Sequence, residues 1–114
     1  MNLKNVKAGD TIWVVRIEAR SEEDGRPYSV TKVGRDYVHV SAYTRFHIDT
    51  GLVTSGNMSP TLVAYPSRSQ FVDEFLTQKA WTDFMLAIRN TYKVPEGLTT
   101  EKIKEAATLL GFSI

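Results

Sequence analysis

Tyr28-Ser29-Val30-Thr31-Lys32-Val33-Gly34-Arg35-Asp36-Tyr37-Val38-His39-Val40-Ser41 is the stretch on which the fold turns. Two runs rich in β-branched and aromatic residues flank Gly34-Arg35-Asp36, the pattern of an antiparallel hairpin. A three-residue loop sets Val30 opposite Val40 and Tyr28 opposite Ala42, which gathers the apolar groups on one face. It also leaves Lys32 on the face of Val38, tolerable at a strand end where the lysine stem can lie along apolar surface.

Upstream, Gly9-Asp10 is a turn pair, and Thr11-Ile12-Trp13-Val14-Val15-Arg16-Ile17 carries apolar groups on both faces, as a central strand does. Ser21-Glu22-Glu23-Asp24-Gly25-Arg26-Pro27 reads as a solvated charged loop. Downstream, Arg45-Phe46-His47-Ile48 alternates polar and apolar, and Asp49-Thr50-Gly51 turns it into Leu52-Val53-Thr54. A loop from Ser55 to Pro60 leads to a last strand, Thr61-Leu62-Val63-Ala64-Tyr65. Five or six short strands within about 65 residues predict a small antiparallel barrel of SH3-like type. If Ala42-Tyr43-Thr44 is a three-residue turn, Val40 pairs with Phe46 and Val38 with Ile48. His39 then lies opposite His47, and Asp49 opposite Tyr37.

After Pro66 the period changes from two to between three and four. Ser67 with Gln70 three residues on predicts a capping box. Phe71, Val72, Phe75, Leu76, Ala80, Phe84, Met85, Ile88 and Tyr92 form a stripe that Trp81 broadens. A helix of that extent would be about 39 Å long, more than a small barrel spans, so a bend or break is expected near Thr77-Gln78-Lys79. A second helix starts at Thr99 or Thr100 and stops at Gly111, with Phe112 and Ile114 folding back onto the core. The whole is an α+β chain: one domain over residues 1–114, strands in 1–66, two or three helices in 67–114 packed on them. Trp13 and Trp81 are expected at the junction of strands and helices. Truncating Trp81 or Phe84 to Ala there would cost about 3–5 kcal/mol.

The chain has 114 residues, 14 Lys and Arg against 13 Asp and Glu, and no Cys. The missing Cys excludes disulfides, thiolate metal sites and a cysteine nucleophile. Near-neutrality disfavours a binder that relies on bulk charge, and neither part of the chain is a charged tail. No apolar run approaches the roughly 18 residues of a membrane helix, and Met1–Asn5 has no signal-peptide character. No membrane association is expected.

Three segments, "VKAGDTIWVV" at 6–15, "TKVGRDYVHV" at 31–40 and "FHIDTG" at 46–51, resemble a group of small prokaryotic and bacteriophage proteins described as containing a β-barrel domain. The closing "PEGLTTEKIKEAATLLG" at 95–111 is similar to the last helix of that group. The resemblance spans most of the chain. It implies the barrel and a phage origin, and it brings no activity or functional residues with it.

No phosphate-binding Gly loop, His-Glu-x-x-His or Gly-x-Ser-x-Gly is present. Asp49-Thr50-Gly51 matches the aspartic protease tripeptide but reads as a β-turn, and Asp73, Glu74 and Asp83 read as a solvated helix face. His39, His47 and Asp49 are the one set with metal-ligand chemistry. They read as exposed strand positions, so no metal and no cofactor are expected. The outward face carries Arg35, Tyr37, His39, Arg45 and His47, with Tyr43 and Arg16 as extensions and Arg26 and Lys32 near its edge. Basic groups interleaved with aromatics suit nucleic acid, although Asp24, Asp36 and Asp49 lie near in the chain. The sequence therefore predicts a non-enzymatic interaction protein. The resemblance makes it phage-encoded and active in the host cytoplasm, and the absence of catalytic constellations, together with the loops and edge strands that small barrels present to partners, makes a host protein the expected partner. The alternative is a nucleic-acid-binding module using the basic-aromatic face.

Overall fold

The computed structural model describes residues 2–54 and 58–114. Six strands precede two helices: β1 Thr11–Arg16, β2 Arg26–Ser29, β3 Lys32–Val33, β4 Tyr37–His39, β5 Arg45–His47, β6 Leu62–Tyr65, α1 Arg68–Arg89 and α2 Thr100–Leu109. The strands make two antiparallel three-stranded sheets, ordered β2-β1-β6 and β3-β4-β5. Isolated bridges Phe46↔Val53 and Leu52↔Val63 place Leu52-Val53 between β5 of one sheet and β6 of the other. Leu52-Val53-Thr54 thus contributes bridges in place of the expected strand. Part of the expected Ser55–Pro60 loop, residues 55–57, lies outside the described residues.

β1 is central, as its two apolar faces require. Ile12 and Val14 point into a core with Leu3, Val6, Val30, Val38, Phe46 and Ala64. On the other face, Trp13 pairs with Tyr65 and Val15 with Val63. There the first turns of α1 cover the sheet: Phe71 lies edge-on to Tyr65 at 5.3 Å and Phe75 follows at 5.8 Å from Phe71. The Arg68 guanidinium sits 5.5 Å from the Trp13 ring, so Trp13 lies where strands meet helix. Leu3 and Val6, unread as core in the sequence, close one end of it, and the Leu3 amide donates to Ile48.

The hairpin registers differ from expectation. Tyr28–Val33 is one run in sequence and two strands in space. β2 pairs with β1, placing Tyr28 opposite Ile12. At Val30-Thr31 the chain passes to the other sheet, where Lys32 pairs with His39 and Val33 with Val38. The Gly34 amide donates to Tyr37 across a two-residue turn. This register puts Val33 and Val38 together on the core side and turns Lys32 outward, removing the cost of a lysine on the apolar face. Between β4 and β5 the pairs are Tyr37↔His47, Val38↔Phe46 and His39↔Arg45. The expected three-residue turn is a five-residue loop, 40–44, closed by the Val40 amide on the Thr44 carbonyl. Ser41 Oγ accepts from the Tyr43 and Thr44 amides, and this local capping explains the longer loop.

Two compact units form, Met1–Lys79 and Ala80–Ile114. α1 runs unbroken through the boundary for 22 residues, about 33 Å, so the expected break at Thr77-Gln78-Lys79 does not occur. Ser67 caps it by accepting from the Gln70 amide, while the Gln70 side chain bonds Glu74 instead of closing a reciprocal box. In the second unit Thr99 caps α2 through the Lys102 amide. Paired bonds from Phe112 to Ala107 and from Gly111 to Thr108 end α2 in a Schellman motif. Trp81 stacks on Phe112 at 6.3 Å. Yet Trp81 is 38% exposed, Phe84 43%, and Phe112 and Ile114 more.

Candidate functional site

Strand alternation builds the outward face of the second sheet. Val38 and Phe46 oppose one another toward the core, so the flanking pairs Tyr37↔His47 and His39↔Arg45 face outward. Lys32, opposite His39, joins them from β3. Tyr37 is the centre of the group. Its ring lies 4.9 Å from His47 and 6.4 Å from His39, and the Arg45 guanidinium carbon stands 4.1 Å over it. Tyr37, His39 and His47 are half-buried and Arg45 is exposed. None of these five paired positions carries a carboxylate. Asp36 belongs to the turn before β4, and its carbonyl accepts from Ile48. Asp49 lies in the turn after β5, where the Gly51 amide donates to His47.

Four of the six sequence-predicted residues, Tyr37, His39, Arg45 and His47, are therefore neighbours. Arg35 occupies the turn that precedes β4, and Tyr43 the loop that follows it, 98% exposed. They stand at opposite ends of the face. The histidines are not cross-strand partners: each opposes a different residue, and Asp49 lies beyond the paired segment. Among the described residues, no three His, Cys, Asp or Glu side chains are grouped to hold a metal ion. Arg16 and Arg26 belong to the other sheet and line a different surface with Arg20. Sequence reasoning missed that grouping because it read residues 21–27 as a solvated charged loop and assigned Arg16 and Arg26 to the margin of the β4–β5 face.

Fold and face together define the class: a small α+β domain in which two antiparallel sheets come first and two helices follow. A family model described as the Phage ProQ C-terminal-like domain matches residues 1–113, and the chain belongs to that family. No curated protein and no solved structure matches it. No helix among the described residues is long and apolar enough to cross a membrane.

Proposed function

We propose that this chain is a non-catalytic, phage-encoded binding domain whose β4–β5 face takes single-stranded nucleic acid. One observation carries the reading: Tyr37 is framed by His39, His47 and Arg45, with Lys32 alongside and no acid among the paired positions. A base can stack on the tyrosine ring or on the guanidinium plane above it, while the cations meet phosphate. Asp24, which would have offset this charge, is engaged elsewhere, capping the loop beside β2. The two bridges between the sheets and the strand switch at Val30 favour a small SH3-like barrel as the scaffold. Action in the host cytoplasm accords with family membership.

The test is a fluorescence-polarisation titration with short single-stranded RNA and DNA at low salt. Binding is expected to weaken steeply as salt rises. Tyr37→Ala should cost about 1–3 kcal/mol of affinity, the contribution of one stacked base. Duplex of the same sequence should bind less well, because its bases are unavailable for stacking. An absence of binding at about 10 μM protein in low salt would remove the proposal, since even non-specific binders reach that range. A protein partner is the second reading, favoured by the arginine-lined groove of the first sheet.

A further inference from the structure

A groove of about 660 Å³ opens on the first sheet, lined by residues of β1, β2 and β6 and of the loop between β1 and β2. Arg16 at the end of β1, Arg20 and Arg26 at the start of β2 all line it, with Tyr28 beside them. Val14 and Leu62 supply apolar lining. The arginines come together for local reasons. β1 ends in a turn in which the Ala19 amide donates to Arg16, sending Arg20 back toward the sheet. Asp24 Oδ2 then accepts the Arg20 and Ser21 amides at 2.8 and 3.1 Å, and the Trp13 indole donates to the Asp24 carbonyl at 3.0 Å. The loop is pinned, so Arg20 is held near Arg26.

We propose that this groove binds an extended acidic segment of a partner protein. Charge complementarity selects the occupant. Two acids, Glu18 and Asp24, also line the groove, but three arginines outnumber them and Asp24 Oδ2 is turned to the Arg20 and Ser21 amides, so the lining keeps a net positive charge. Guanidinium forks match carboxylates in bidentate geometry. The apolar lining and the exposed Tyr28 ring give side chains of a peptide somewhere to pack, a feature that a phosphodiester backbone would not use. The inference is independent of the β4–β5 face.

Polarisation of a fluorescein-labelled Glu-rich peptide of about a dozen residues with interspersed Leu tests it, beside a Lys-for-Glu control and a single-stranded oligonucleotide. The acidic peptide is expected to bind and the basic one not. The paired change Arg16→Gln with Arg26→Gln should weaken binding by about tenfold or more, whereas Tyr37→Ala leaves it unchanged. Glu18→Gln, which removes one of the two acids in the lining, should tighten it, and this gain keeps the test decisive if the arginine variants misfold. Equal affinity for both peptides, indifference to the arginine pair, or stronger binding of the oligonucleotide through the same arginines would overturn the proposal.

Discussion

Met1–Lys79 and Ala80–Ile114 are both rich in apolar residues and treat them differently. Every buried apolar side chain among the described residues falls between Leu3 and Phe71, and from Ala80 onward none is buried. The contrast is sharpest inside α1, a single uninterrupted helix. Its stripe is buried or half-buried at Phe71, Val72 and Phe75, then exposed from Leu76 to Ile88 although the spacing is unchanged. Phe71 and Phe75 have Tyr65 of β6 to pack on. Within the second unit Trp81 has Phe84 and Phe112 beside it. Periodicity shows which residues share a face, while burial requires a second surface.

The largest effect expected from this difference is on stability. Phe46→Ala empties a fully enclosed core position and should cost about 3–5 kcal/mol. Phe84→Ala removes a side chain that is 43% exposed and should cost about 1–2 kcal/mol. Urea unfolding of both variants measures the gap. Equal costs would mean that Phe84 is enclosed in solution as fully as Phe46.

Two glycines sharpen the same comparison at smaller amplitude. Gly25 has φ +106°, and a Cβ there would overlap the Trp13 ring and Val15. Gly97 has φ +83° with open space around it. Gly25→Ala should destabilise by about 1–3 kcal/mol, from strain and displaced packing together. Gly97→Ala should cost only the backbone preference, about 1 kcal/mol. Thermal melts, with tryptophan emission reporting on Trp13, separate the two.

The smallest effect is alkaline. Burial first, and Glu74 second, raise the Tyr65 phenol above its ordinary value. The folded state therefore holds this proton more tightly than the unfolded chain. The stability it contributes is complete below the ordinary phenol pKa of about 10 and is lost as pH rises through the folded value. Tyr65→Phe should flatten that part of the pH–stability curve and change little at neutral pH. A curve that falls equally in the variant would assign the loss to other groups.

The order of strands before helices, the central place of β1, both helix N-caps and the helix stop at Gly111 could all be read from local residue chemistry. So could the company of Tyr37, His39, Arg45 and His47. The β4–β5 pairing is two residues from the expected one, and a shift by two leaves every side chain on its face. That is why the face survived a wrong register, while the opposition of His39 and His47 did not. In the β3–β4 hairpin the shift was by one, and it moved Lys32 from the core side to the outside.

Local pattern alone determined which residues are apolar neighbours along a strand or helix, where the two helices begin and where α2 stops, and which side chains of β4 and β5 share a face, because turn, cap and pleat act over a few residues. Only the tertiary structure decided that Tyr28–Val33 divides between two sheets, that Leu3 seals the core, that α1 is covered for its first turns alone, and that Arg16, Arg20 and Arg26 line one groove. Each of these depends on whether a surface from elsewhere in the chain is present to pack against, and the spacing of residues within a segment does not carry that information.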